Sequence, residues 1–561
     1  MHLFKWINDK SNNEKIRKAW LGLAVTLLIV FIIIPAIFVV FKLFTEWELV
    51  SGVLADGNLM GIINWSLFNS FSIAGIVTAI DILLGIPMAW IMVRKQFKGK
   101  KYLDTLMDMP LVFPTAVLGL SVVMFWGAPA GIQIPGTGLV MSPYLMVILL
   151  HIIFSYPYMV RSLSAILEQI EPNYETAAMT LSASRFTAVR TITLPLFRAG
   201  LLTGTILCFA RSLSETGGTY MALQMMGAVD MHSFSGFFTG PAFIAHAKNL
   251  VKAGEISPDV STGAMILISV LMIVLALVML LVVRYLVMKF KIPVKKVWPK
   301  LGRTISRGTV PKLKDAFTIA FLSVVVLLPT FYIFAYLSHA PPTLQYGALL
   351  ASIGVSFFIA GIAVAFNIIF GIPIALYIAR KRNTPLGRIL DSLVNMPLII
   401  PTTALGFSLA LFWSSLFVGG SMGLLMVTMG HISFTFPLIV RNIIGAVEEI
   451  DPSYEEVALT LGAKPFQAFS KVLMPIIKSS IIAGAILAFT RSLGETGATL
   501  AISGQVKTVP IYIMDLVNAG IKTGDPTKFT EAAFCAMILI AICFVFIFAI
   551  RVVMSRGGRR A

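Results

Sequence analysis

Two arginine–glutamate pairs stand inside apolar stretches of this chain, Arg211 with Glu215 and Arg491 with Glu495. Each pair is spaced four apart, so on a helix the two side chains share one face and can form an ion pair. Charges in a membrane helix avoid lipid and turn toward neighbouring helices or a water-filled path. Two roles are therefore open. The pairs lock the two halves of the chain, or the arginines line a translocation path for an anion and the charges move during gating. Gly217, Gly218, Gly494, Gly497 and Ala498 beside them permit close packing or expose backbone to such a path. Asp81 is another acid in an apolar run, and Asn367 is its uncharged match in the second half. A polar contact within a helix bundle accounts for both. His151 and His431 match each other as well, which fits helix packing or interface hydrogen bonding ahead of a paired metal site.

Other chemistry is missing. The chain has no G-x-x-x-x-G-K-[ST] phosphate loop and no H-E-x-x-H. It is not expected to bind ATP through such a loop, and no catalytic residue, metal ligand or cofactor is assigned. Cys208, Cys535 and Cys543 lie in apolar runs without metal-ligand spacing, so a disulfide framework is not expected.

The elements that position these residues are membrane helices. The chain has 561 residues, 57% hydrophobic and 12% charged, with mean hydropathy +0.89. Soluble domains carry about 25% charged residues. The apolar runs are continuous, not alternating, which argues for helices over a barrel. Lys+Arg 44 against Asp+Glu 26 gives +18. On a soluble protein that excess would suggest nucleic acid. Here it reads as the positive charge of cytoplasmic loops, with membrane lipid as the contact and no nucleic-acid partner.

The chain repeats itself. Residues 448–499 read E-E-I-D-P-S-Y-E-E-V-A-L-T-L-G-A-K, then K-V-L-M-P, then G-A-I-L-A-F-T-R-S-L-G-E-T-G-A-T. Residues 168–219 read E-Q-I-E-P-N-Y-E-T-A-A-M-T-L-S-A-S, then T-I-T-L-P, then G-T-I-L-C-F-A-R-S-L-S-E-T-G-G-T. Tyr174 matches Tyr454, Pro195 matches Pro475, and both charge pairs match. Upstream, Met109-Pro110-Leu111 matches Met396-Pro397-Leu398, and Gly85-Ile86-Pro87 matches Gly371-Ile372-Pro373. This is a tandem duplication. The polar segment before each charged span reads as a short amphipathic helix and turn, closed in the second copy by Met474-Pro475.

Spans are expected at 20–41, 71–93, 109–125, 144–160, 201–221 and 262–288, then at 317–337, 357–379, 397–416, 424–440, 481–502 and 532–553. Residues 225–258 and 505–528 are read as outer loops. The basic segment 289–314 is read as a cytoplasmic linker between domains 1–288 and 315–561. Both termini and both polar motifs then face the cytoplasm. The even count per half makes the repeats parallel, related by an axis along the membrane normal. The fold class is all-α: a polytopic membrane protein with twelve transmembrane helices in two tandem six-helix repeats.

The motif Glu455-Glu456-Val457-Ala458, then Gly462-Ala463, then Met474-Pro475, resembles the cytoplasmic "EAA" loop of type I binding-protein-dependent ABC importer permeases. In E-A-A-x(3)-G the named positions fall on Glu456, Val457, Ala458 and Gly462, and in the first half on Thr176, Ala177, Ala178 and Ser182. Thr176 and Ser182 depart from the pattern, as does Val457. The resemblance implies the type I importer fold. It also implies two ABC ATPase subunits, as a homodimer, gripping these loops from the cytoplasm, and an extracytoplasmic binding protein that delivers solute. ATP hydrolysis would belong to the ATPases. The chain resembles the fused permeases, in which one chain supplies both halves. The stretch 489–499 is similar to molybdate, tungstate and sulfate permeases, which implies an oxyanion substrate. Its G-E-T is also similar to phosphate permeases, and the fused layout resembles ferric-iron and thiamine permeases. An ion-coupled secondary transporter is the alternative of another class. It would work without ATPases, on carboxylates such as Asp81, Glu215 and Glu495.

Overall fold

A chain in hydrocarbon must pair its backbone polar groups internally, and this one does so with helices. The computed structural model describes residues 10–127, 133–134, 137–289, 309–338, 341, 343–416 and 423–557. Most of the expected linker, residues 290–308, lies outside them. Among the described residues, 9 helices are long and apolar enough to cross a membrane, or up to 12 spans if each of 3 bent pairs counts as one. The strands described are a two-residue pair, Gln133–Ile134 with Thr137–Gly138. The protein is an all-α polytopic membrane protein.

In the first repeat α1 is Glu14–Thr45, α2 Gly57–Arg94, α3 Lys100–Val112, α4 Thr115–Trp126 and α5 Pro143–Gln169. Then come α6 Asn173–Thr180, α7 Arg185–Leu196, α8 Arg198–Ser214, α9 Gly217–Met225, α10 Gly240–Ala253 and α11 Pro258–Lys289. The second repeat runs α12 Val310–Ala335, α13 Tyr346–Lys381, α14 Pro385–Ile399, α15 Thr402–Leu416 and α16 Gly423–Glu448. It continues with α17 Ser453–Thr460, α18 Pro465–Gly494, α19 Gly497–Ile502, α20 Val509–Thr523 and α21 Thr527–Gly557.

Prolines shape the spans. Four of them follow a π-helical turn: Ile29–Ile33 precedes Pro35, Val189–Thr193 precedes Pro195, Leu322–Leu327 precedes Pro329 and Phe469–Leu473 precedes Pro475. A proline lacks an N–H and crowds the turn before it, and the wider turn absorbs both defects. Pro475 therefore does not close the polar segment, because α18 runs through it. The third span of each repeat turns a corner, 108° between α3 and α4 and 106° between α14 and α15. Phe113 (ψ 137°) and Ile400 (ψ 131°) are extended there, as a residue before proline prefers.

The expected outer loops contain helices. Thr239 caps α10 by accepting from the Ala242 amide at 3.4 Å, Pro241 sits in its first turn, and Gly254 (φ 75°) ends it. Thr508, Pro510 and Gly524 (φ 67°) stand in the same order around α20.

Packing divides the chain differently from its repeats. One compact unit takes in the described residues of Met1–Trp47, Thr343–Ile513 and Ile538–Ala561, and the other those of Glu48–Pro342 and Met514–Met537. Thus α1 packs with helices of the second repeat, and α12 with helices of the first. In one unit Ser408 inserts its hydroxyl into the α1 ladder, donating to the Pro35 carbonyl (2.7 Å) and accepting from the Val39 amide (2.8 Å). In the other, Ser121 does the same to α12 between the Pro329 carbonyl (2.6 Å) and the Ile333 amide (3.1 Å). Rings of α1 and the second repeat meet at Phe31 and Trp413, 5.4 Å between centroids.

Candidate functional site

The fifth span of each repeat is broken at its charge pair. α8 ends at Ser214 and α9 starts at Gly217, and α18 ends at Gly494 and α19 starts at Gly497. Between them Glu215 (ψ 130°) and Glu495 (ψ 124°) are extended. The runs expected to be continuous at 201–221 and 481–502 are thus two segments each. Glycines at the break weaken a continued helix, and the glutamate side chain replaces what the ladder loses.

That replacement is specific. Glu215 Oε2 lies 2.5 Å from Arg211, while Oε1 accepts from the Gly218 amide at 3.1 Å. Glu495 pairs with Arg491 at 2.6 Å and accepts from the Ala498 amide at 2.9 Å. Each carboxylate joins a cation on the last turn of one segment to an amide in the first turn of the next, where a negative charge is favoured. The histidines make a second tie. His151 of α5 meets Ser212 and Thr219 across the break, both at 2.8 Å, and His431 of α16 meets Ser492 at 2.7 Å and Thr499 at 3.0 Å. Both ring nitrogens of each histidine thus face hydroxyls. Among the described residues no group of three or more His, Cys, Asp or Glu could hold a metal.

Close backbone contact completes the module. A Cβ added to Gly119 of α4 would lie 2.2 Å from the Gly218 carbonyl oxygen, and one added to Gly406 of α15 would lie 2.6 Å from Ala498 Cα. The glutamate side chains are 2% and 3% exposed, whereas Arg211 and Arg491 are 16% and 24% exposed. The arginines also sit over Phe154 and Phe434, 5.0 and 5.7 Å from the ring centroids. Asp81 and Asn367 are wholly buried. Asp81 accepts from Ser155, and Asn367 donates to Thr435 at 2.8 Å.

The motif segments fold as expected, into α6 and α17 with a tight turn after each. Ser182 (φ 69°) and Gly462 (φ 87°) take the left-handed conformation. The following amides donate back to Ala178 and Ala458, Ala183 at 3.1 Å and Ala463 at 3.0 Å, in a Schellman closure. Thr176, Ala177, Glu456 and Val457 are exposed, and Ala178 and Ala458 are half-buried. Glu455 turns back onto Arg380 at 2.6 Å. Tyr174 and Leu181, and in the second copy Tyr454, Val457 and Leu461, leave an exposed apolar face. Ser182 carries a left-handed cost that glycine avoids, about 1 kcal/mol. Ser182→Gly is expected to slow hydrogen exchange at the Ala183 amide about fivefold. Unchanged exchange would show that the turn holds no strain.

The matched histidines make hydrogen bonds, as expected of them, but sequence reading missed the break itself. The signal for the histidines' partners was the recurrence of Ser and Thr at matching places in both repeats.

Residues 81–292 and 371–557 each match the profile of a family described as "Binding-protein-dependent transport system inner membrane component". The chain is 31% identical over 279 residues to the sulfate transport system permease protein CysT of Salmonella typhimurium, covering 46% of this chain and 95% of that one. It is 30% identical over 243 residues to the molybdate/tungstate transport system permease protein WtpB of Pyrococcus furiosus, covering 42% and 93%. It is 35% identical over 154 residues to the molybdenum transport system permease protein ModB of Escherichia coli, covering 27% and 67%.

Proposed function

This chain belongs to the family of binding-protein-dependent transport system inner membrane components, in a fused two-domain form, and from that premise we propose that it carries a small inorganic oxyanion across the membrane. Molybdate, tungstate or sulfate is the substrate class. The observation that carries this reading is the partly exposed arginine of each broken span, held by a buried glutamate. A fixed cation in a low-dielectric passage lowers the barrier for an anion, and its carboxylate neighbour keeps the site from becoming a trap. The relatives, sulfate, molybdate/tungstate and molybdenum permeases by name, support the same class. Reconstituted vesicles with ATPases and binding protein are expected to take up labelled molybdate or sulfate only with ATP. Uptake of ferric iron or thiamine in place of the oxyanions would overturn the substrate class.

Family membership brings ATPase and binding-protein partners in general. We assign the ATPase contact to α6 and α17, whose exposed apolar faces suit a groove on a homodimer. Glu456 is exposed beside that face and accepts hydrogen bonds or pairs with a base there. Glu456→Lys is expected to lower ATP hydrolysis by the assembled complex about tenfold, and Thr176→Lys to lower it less, since no acid is lost. Equal hydrolysis in wild type and Glu456→Lys at equal assembly would reject the contact, and a larger loss from Thr176→Lys would reject the asymmetry. Both termini and residues 289–314 are assigned to the cytoplasm. A cysteine at Ser306 should then resist a membrane-impermeant label in intact cells, and labelling would reverse the topology.

A further inference from the structure

The charge carried by each motif helix on the residue before the named acid position is turned inward, and its partners recur in both repeats. In the second repeat Arg380 occupies the last turn of α13. One of its nitrogens donates to the Ile450 carbonyl at 2.8 Å, just past the end of α16. Its Nε and the other terminal nitrogen hold Glu455 Oε1 at 3.2 and 2.6 Å. A single guanidinium therefore satisfies a helix-end carbonyl and a carboxylate on α17, something a lysine, as a point charge, does poorly. In the first repeat Arg94 ends α2 and donates to the Ile170 carbonyl at 2.6 Å, at the end of α5. Glu175 of α6 is buried, 3.7 Å from Arg94, and accepts from Thr193 of α7 at 2.7 Å. Exposed surface ion pairs contribute little, but these are sheltered: the Arg94 side chain is 10% exposed and that of Arg380 21%.

We propose that Arg380 is a positioning residue for energy coupling. It welds α17 to the inner ends of α13 and α16, so that displacement of α17 moves the second and fourth spans of its repeat as one body. Arg94 does the same for α6 more weakly, because Glu175 is shared with α7. The inference rests on the assignment of α17 to the ATPase contact. Glu456 faces outward and receives the push, while Glu455, the next residue back, hands it inward.

The test separates docking from transmission. Arg380→Gln is expected to leave the ATPases co-purifying with the chain while ATP hydrolysed per oxyanion imported rises about tenfold. Arg380→Lys should recover only part of the loss, since an ammonium keeps the charge beside Glu455 but does not hold the Ile450 carbonyl at the same time. The exchange Arg380→Glu with Glu455→Arg should recover at least half, since it restores the ion pair but not the bond to Ile450. Arg94→Gln should raise the ratio less than Arg380→Gln. An unchanged ratio in Arg380→Gln would overturn the proposal. So would loss of the ATPases from the complex, since Arg380 would then only fold the docking helix. Spin labels at Thr460→Cys and Lys381→Cys provide a second measurement, in a chain that keeps Arg380. Their separation should stay constant between the nucleotide-free and ATP-bound complex, and a change of several ångströms would overturn the weld even if Arg380→Gln failed to accumulate. If wild-type vesicles show no ATP-dependent uptake at all, the transport reading falls instead, an outcome separate from every one of these.

Discussion

Glu495→Leu is expected to keep correctly folded protein from accumulating in the membrane. The carboxylate has two jobs within its own unit, pairing with Arg491 at 2.6 Å and capping the first turn of α19 through the Ala498 amide. Leucine removes both and leaves a largely buried arginine without its glutamate. Breaking one side of a buried pair costs about 3–5 kcal/mol, and the lost cap adds about 1 kcal/mol. Together these approach the whole stability of a typical domain, about 5–15 kcal/mol. Glu495→Gln should be milder, because its amide oxygen can still accept from Ala498. The yield and thermal stability of detergent-purified protein check both. Wild-type behaviour of Glu495→Leu would show that the carboxylate is not what ties the broken span together. Glu215→Leu should act in the same direction on α8 and α9.

The double change Arg491→Gln with Glu495→Gln is expected to reduce oxyanion uptake about 100-fold while the protein still assembles and docks its ATPases. It removes both charges at once, so no buried charge is left unpaired, and the amide oxygen introduced at position 495 keeps the cap on α19. If the pair were only a lock, transport would suffer modestly and substrate preference would not move. If Arg491 offers its charge to the anion, the loss corresponds to about 2.7 kcal/mol of barrier. Vesicles containing the ATPases and binding protein, assayed with labelled molybdate or sulfate, decide between the two. Near-normal uptake would end the path role for Arg491 and leave the pair as a lock.

The two proposals on the fifth span depend on a break that no local signal announced. Glycine is tolerated inside membrane helices, so Gly217-Gly218 and Gly494 suggested close packing, and nothing in them required the helix to end. The corners in the third spans were half visible. Pro114 and Pro401 marked the place, but whether a proline kinks a helix or separates two helices depends on what receives the freed segment. The helices α10 and α20 were overlooked because their polar content resembled a loop, although Thr239 with Pro241 and Thr508 with Pro510 were there to be read as starts.

What the sequence determined alone was whatever follows from composition, periodicity and recurrence. Long apolar runs required membrane helices, the matching motifs required two copies of one fold, and the family resemblance rested on α6, α17 and the turns after them. Those features are local in sequence, and the left-handed turn at Ser182 or Gly462 bonds back only to the helix that it closes. Tertiary structure alone decided which helices share a core. α1 lies with the second repeat, its Ala24, Leu28 and Ile32 sharing one buried apolar cluster with Ile432, Phe436 and Val440, and α12 lies with the first, each helix also bonded by a serine far along the chain, Ser408 and Ser121. It also decided what each charge touches. Glu455 and Glu456 are neighbours in sequence, yet one is tied to Arg380 and the other is exposed. On a helix adjacent side chains diverge by about 100°, and only the packing of α13 and α16 beside α17 determines which of the two is turned inward.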